Sequence, residues 1–143
     1  MEQPLQIALL TEFSPSFLEA LDNGLRAHER RLGAGKFIGV SASNDETLIG
    51  GLSGWAFVEV FDIRQMWITE AFRGQGIGSE MLSLAENEAV RSGCCLGLVE
   101  TWSFQAPGFY FRRGYTEFAR INDLGPSRDL TRIWVRKALS GGG

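Results

Sequence analysis

Arg73-Gly74-Gln75-Gly76-Ile77-Gly78 is the stretch that decides the fold. It follows directly on residues 64–69, an apolar and aromatic run that reads as a strand. After it, Ile77, Met81, Leu84 or Ala85, and Glu88 or Ala89 recur at helical spacing, and Gly93 supplies the stop. Glycines at this density let the backbone turn tightly and approach a ligand with no Cβ in the way. The first-turn N–H groups of a helix have no partners within it and carry the positive end of its dipole. A phosphate or pyrophosphate suits that position, and Arg73 adds a fixed charge beside it. The dinucleotide fingerprint G-x-G-x-x-G does not match, because the spacing here is G-x-G-x-G. The Walker motif fails as well, since Gly35-Lys36 is followed by Phe37. A tight strand-to-helix turn with no ligand remains the plain alternative.

Upstream, residues 5–10 read as a first strand. Ser14 and Pro15 then mark a helix start, as N-cap and first helical residue. Phe17, Leu18, Leu21 and Leu25 form its apolar stripe, Gly24 is a point where it could break in two, and Gly33 is its end. Residues 36–41 and 47–61 read as strands joined by an Asn44-Asp45 hairpin turn. Downstream come a strand over 94–101, a short helix over 106–113 closed by Gly114, and strands over 115–120 and 130–137 around the turn-rich stretch 122–128. The expected architecture is one α/β domain over residues 1–139, with a mixed, largely antiparallel sheet flanked by helices and a disordered tail at 140–143.

Composition narrows the function. The 143 residues suit one core, and 44% of them are hydrophobic. A formal net charge of −3 and a pI near 5.2 disfavour a nucleic-acid binder. The N-terminal stretch lacks the pattern of a secretory signal, and no apolar run reaches the ~18 residues a membrane span needs. These features predict a cytoplasmic protein with no membrane partner, and they leave a homodimer open. Cys94 and Cys95 are adjacent and imply no disulfide framework. His28 is the lone histidine, so an ordinary structural zinc site cannot be assembled without carboxylates, and no metal is expected.

The glycine stretch and the residues beyond it resemble the GNAT N-acetyltransferase superfamily, in its bacterial single-domain form. That family's first signature is Arg/Gln-x-x-Gly-x-Gly/Ala at a helix start, which residues 73–78 match at every position. Its second is a strand, a short helix carrying a tyrosine, and a Gly-aromatic pair; here these are residues 96–101, residues 106–110 with Tyr110, and Gly114-Tyr115. The resemblance implies acetyl-CoA as acyl donor and parallel strands carrying Ile68 and Leu98 that splay to admit it. It implies that the backbone of Met66, Trp67 and Ile68 pairs with the pantetheine arm. Arg73, Gly74, Gln75, Gly76, Ile77, Gly78 and Ser79 would hold the pyrophosphate. Ser103 or Gln105 lies where many members carry a cofactor-contacting Asn, and Tyr110 where the group protonating the departing thiolate often sits.

Acyl transfer to an amine needs a neutral nucleophile, an oxyanion contact and an acid for the thiolate. A phenol with an ordinary pKa near ~10 is protonated at neutral pH and suits the last role. Asp62, Glu59 and Glu100 are the candidate bases, with a water relay as the alternative. Those carboxylates, expected to gather near the thioester, favour a small, cationic amine acceptor. Trp55, Phe57, Phe61, Trp102 and Phe104 read mostly as core, with Trp102 and Phe104 as candidate pocket walls. The expected activity is transfer of an acetyl group from acetyl-CoA to a primary amine by direct attack. The alternatives are a non-catalytic acyl-CoA-binding regulatory module and an enzyme acting on a protein or peptide amine.

Overall fold

A computed structural model describes residues 4–29 and 32–140. It divides into two compact units, Met1–Ala34 and Gly35–Gly143. Of the tail expected at 140–143, residues 141–143 lie outside the described residues.

In the first unit, residues 4–13 form no regular structure, so the strand expected over 5–10 is absent. Apolar alternation permits a strand but does not make one; strand backbone needs a partner's hydrogen bonds. Helix α1 spans Pro15–His28, with the Ser14 side chain accepting from the Phe17 amide and Pro15 in the first turn. It passes through Gly24 unbroken, since one helical glycine costs only about 1 kcal/mol. None of its residues is buried, so the stripe expected to be covered has no cover within its own unit.

The second unit is a six-stranded sheet in the order β1-β2-β3-β4-β6-β5: β1 (Lys36–Asn44), β2 (Thr47–Phe57), β3 (Val60–Ile68), β4 (Leu96–Trp102), β5 (Thr116–Leu124) and β6 (Leu130–Ala138). Only β3 and β4 pair in parallel. This is the mixed, largely antiparallel α/β architecture that the sequence implies. The strand expected over 47–61 is in fact two strands. Val58 and Glu59 both take positive φ, 47° and 66°, and form a tight hairpin turn there. The Asn44-Asp45 signal holds, with Asp45 and Glu46 as the central residues at φ 47° and 72°. β5 runs past the expected stop at 120 to Leu124, with register shifts that absorb the irregular residues.

Helix α2 (Ile77–Arg91) packs on β1, β2 and β3 through Met81, Leu82, Ala85 and Ala89. It ends as expected: Gly93 has φ +94°, and the Cys94 amide reaches back to the Ala89 carbonyl at 2.9 Å. Beneath the sheet Phe61, Ile63, Leu82, Val99, Tyr110, Tyr115 and Val135 join one core. The helix expected over 106–113 is shorter, with α3 covering Gly108–Phe111, because Ala106 sits in the left-handed region and Pro107 caps the start.

Candidate active site

The site begins with one extra residue. Across β2 and β3, Gly54 faces Ile63 and Ser53 faces Gln65, so Arg64 has no partner and forms a bulge. A bulge bends its strand and strengthens its twist. β3 pairs with β4 only from Val60↔Leu96 to Ile63↔Val99, and the two strands part at the bulge. Past it, β3 still pairs with β2, and the Thr69 amide donates to the Ile49 carbonyl at 2.7 Å. Because backbone groups alternate along a strand, Met66 and Ile68 turn theirs to the other edge, which β4 has left free. Arg73 meets this edge, its Nε donating to the Ile68 carbonyl at 2.9 Å.

The parting makes a cleft of about 630 Å³, within the range of small-molecule sites. β3 residues 63–68 form one wall, and Val99, Glu100 and Thr101 of β4 the other. Phe104, Gln105, Ala106, Phe109 and Tyr110 close one end, and Arg73 stands at the glycine loop.

That loop has the form an anion needs. Gly74 and Gly76 adopt φ +77° and +82°, and a Cβ built on either meets nothing within 4 Å. The open space lies outside the loop, where a ligand would approach. Gly76 caps α2 with no side chain bonded to the helix end, and the first N–H returned to the helix is that of Glu80, to the Gly76 carbonyl. The amides of Ile77, Gly78 and Ser79 therefore point out of the helix unpaired by it. Gly78 is different: a Cβ there would lie 2.9 Å from Phe109 and 3.1 Å from Ile68, so its bareness lets α2 sit against the cleft wall.

Tyr110 is buried, and its hydroxyl donates to the Met66 sulfur at 3.7 Å across the cleft floor. Burial pushes its pKa up to about 12, so it holds its proton at any physiological pH. The neighbouring Tyr115 hydroxyl, bound to Glu86 at 2.8 Å, is raised by burial and by that carboxylate, and it lies off the cleft.

The three carboxylates expected to gather at the thioester are dispersed. Glu59 lies in the β2–β3 turn, at the end of β3 away from the glycine loop, and its Oε2 is 3.8 Å from the Cys95 sulfur. Asp62 faces Leu98 and pairs with Arg64 at 2.9 Å; it does not line the cleft. Only Glu100 lines it, held by Arg132. The expectation overlooked the Val58-Glu59 turn, which sends Glu59 to the far end.

Ser103 and Gln105, the expected stand-ins for a cofactor-contacting Asn, serve the chain itself. Ser103 Oγ accepts from the Thr131 amide at 3.1 Å, and Gln105 Oε1 accepts from the Trp102 amide at 3.1 Å. Gln105 lines the cleft and Ser103 does not. Of the aromatic set, Phe61 is core, Phe104 lines the cleft, and Trp102 stacks behind it at 5.8 Å. Sequence reading missed Arg132 and the bulge at Arg64. The alternation of Arg132 and Trp134 with buried Ile133 and Val135 was a signal for the first. Nothing marked the second.

Two parallel strands that separate beside a glycine-bounded helix start are the arrangement that the resemblance to the GNAT superfamily implied. The chain belongs to the GNAT acetyltransferase family, whose model matches residues 6–115. It is 42% identical over 80 residues to a blasticidin-S acetyltransferase of Streptomyces morookaense, a match covering 55% of this chain and 59% of that protein, less than two thirds of the relative's length. It is 31% identical over 100 residues to an acetyltransferase of Agrobacterium fabrum, covering 66% of this chain and 68% of that one. A crystal structure from Agrobacterium tumefaciens, assigned as an acetyltransferase, superposes with a TM-score of 0.81 at 26% identity, over 94% of this chain and 99% of that chain. Other proteins of this fold have been solved with coenzyme A or acetyl coenzyme A bound. No helix among the described residues is long and apolar enough to cross a membrane.

Proposed function

We propose that the chain transfers an acetyl group from acetyl-CoA to the primary amine of a small molecule, by direct attack in the β3–β4 cleft. The observation that carries this is the free edge of β3 running from the bulge to the glycine loop. The amide groups of a pantetheine arm can pair with Met66 and Ile68 as an added strand would, with Trp67 between them. The pyrophosphate then meets the amides of residues 76–79, with Gly74 and Gln75 shaping the turn and Arg73 adding charge. Arg73 would exchange its bond to Ile68 for one to the ligand.

The amine nitrogen attacks the thioester carbonyl carbon, forming a C–N bond as the C–S bond breaks. An alkylammonium of pKa near ~10.4 is unprotonated in only about one molecule in 2,500 at pH 7, so a proton must leave first. Glu100 is the carboxylate in the cleft that can take it, directly or through water. An outward N–H of β3, at Met66 or Ile68, suits the developing oxyanion. Tyr110 faces the sulfur. Full proton transfer from a phenol near 12 to a thiolate whose acid has a pKa near ~8.5 is uphill by about 5 kcal/mol. Tyr110 therefore works as a hydrogen-bond donor to the thiolate as it forms.

A small acceptor is favoured by the cleft's volume and by the relative named for blasticidin S. The test is thiol release on mixing the protein with acetyl-CoA and a panel of polyamines, aminoglycosides, amino acids and peptides. Saturable turnover with a small amine supports the reading. Turnover with peptides alone moves the acceptor to protein, and binding without turnover makes the chain an acyl-CoA sensor.

A further inference from the structure

Arg132 is not in the glycine loop, on the free edge of β3 or in the lining of the cleft, yet it holds the one carboxylate that the cleft presents among the described residues. On the adjacent strands β4 and β6, Glu100 faces Trp134 and Trp102 faces Arg132. Directly opposed residues share a face, so these four side chains form a checkerboard in which Arg132 is the diagonal neighbour of Glu100. Its guanidinium lies 5.4 Å from the Trp102 ring and 5.3 Å from the Trp134 ring, between two aromatic walls. From there Nε and one terminal nitrogen of Arg132 both engage Oε1 of Glu100. The planar fork is spent on a single oxygen, and among the described residues no hydrogen bond reaches Oε2.

An arginine–carboxylate pair that served stability alone would gain from the bidentate arrangement, one nitrogen to each oxygen. A pair this exposed, at 39% for each side chain, also contributes little to folding, typically about 0–1 kcal/mol. What the arrangement does supply is orientation. One oxygen is pinned, the carboxylate plane is fixed, and the second oxygen stays unspent on a residue that lines the cleft.

We propose that Arg132 is the positioning residue of the acceptor site, clamping Oε1 of Glu100 so that Oε2 receives the acceptor's ammonium group. This rests on the proposed function and specifies how the amine is recognised: the ligand class is a primary alkylammonium, bound through one charge-assisted hydrogen bond before it gives up its proton. Arg132 touches neither acceptor nor donor and acts only through Glu100. Two opposing effects make the idea testable. As a bare charge Arg132 repels a cation, so its removal would tighten amine binding. As a clamp it orients the receptor oxygen, so its removal loosens amine binding.

The experiment is a double-mutant cycle on the full chain with Arg132→Gln, Glu100→Gln and both, read as separate KM values for acetyl-CoA and for the best amine of the panel. Arg132→Gln raises the amine KM about tenfold, the loss of one oriented charge-assisted bond, and leaves the acetyl-CoA KM and the melting temperature nearly unchanged. In the Glu100→Gln background the same change alters the amine KM less than twofold, because the oxygen it orients is gone. An amine KM that falls or stays constant in Arg132→Gln overturns the proposal, as does a tenfold rise in both backgrounds. If the wild type releases no thiol with any amine, the proposed function fails by itself. The clamp is then read by spermidine titration followed through tryptophan fluorescence. Saturable binding that weakens about tenfold in Arg132→Gln supports it; no binding, or equal binding by the variant, overturns it.

Discussion

Replacing Tyr110 by phenylalanine removes one oxygen from the cleft floor and leaves the ring. That ring packs edge-on against Phe109 and Tyr115, with centroids 5.1 and 5.7 Å away, and phenylalanine keeps both contacts. Among the described residues the hydroxyl's one partner is the Met66 sulfur at 3.7 Å, a weak acceptor, so folding stability should change by less than about 1 kcal/mol. The catalytic cost is larger. A neutral donor bonded to a thiolate is worth about 1.5–3 kcal/mol, which corresponds to about a 10- to 150-fold fall in kcat. Because burial raises the phenol to about 12, the wild-type contribution should be constant across the working pH range and show no limb of its own below about pH 10. The assay is single-turnover thiol release at several pH values, with acetyl-CoA affinity measured by calorimetry. A kcat within twofold of wild type, with chemistry rate-limiting, refutes the role and leaves Tyr110 as a core aromatic. A fall in acetyl-CoA affinity matching the fall in kcat refutes it differently, by making the residue a binding group.

The geometry sets four further outcomes. Gly76→Asp puts a left-handed non-glycine residue and a negative charge at the helix start, and should weaken acetyl-CoA binding at least tenfold by calorimetry. Gly54→Ala places a Cβ 2.6 Å from the Asp62 carbonyl oxygen and 2.7 Å from buried Phe61, opposite the bulge; it should cost about 1–3 kcal/mol, read in a urea melt. Alkali should unfold the protein. Tyr110 is raised from about 10 to about 12, so its protonated form favours the folded state below pH 10. As pH climbs from 10 to 12 that contribution, about 3 kcal/mol, is lost, with Tyr115 shifted in the same direction. Tyr110→Phe should therefore raise the alkaline midpoint. Finally, rapid quench with acetyl-CoA alone should leave Cys94 and Cys95 unacetylated, since Cys94 is buried with its thiol pushed up by burial and Cys95 lies beside the turn carboxylate of Glu59.

The parts legible in the sequence were those written in local chemistry. Ser14 and Pro15 announced α1, the Arg73–Gly78 stretch announced a strand turning into α2, and Gly93 announced its end. Asn44-Asp45 announced a hairpin, whereas Val58 and Glu59 make an equally tight turn from residues that carry no turn preference. That turn hid itself inside an apolar run, and Glu59 was consequently assigned to the wrong end of the sheet. Residues 5–10 show the converse, a strand-like pattern with no strand. The bulge was illegible because it is a property of register: Arg64 is extra only relative to Ser53 and Gly54 on another strand. The Glu100–Arg132 clamp was hidden for the same reason, since thirty-two positions separate residues that the β4–β6 ladder sets side by side.

The bulge gives this sheet an unusual property. Along half its length β3 is an interior strand, and along the other half it is an edge, although it lies third of six. Exposed edges invite any extended chain to add on, and proteins usually blunt them with charge, twist or brevity. This one is only a few residues long, walled by α3 and capped at the Ile68 carbonyl by Arg73, so a passing polypeptide finds too little to grip. A ligand carrying two amides and a terminal phosphate group finds enough. In hydrogen exchange, the Met66 and Ile68 amides should accordingly behave like loop protons in the free protein, amid neighbours that barely exchange, and should slow to the rate of those neighbours once acetyl-CoA is bound.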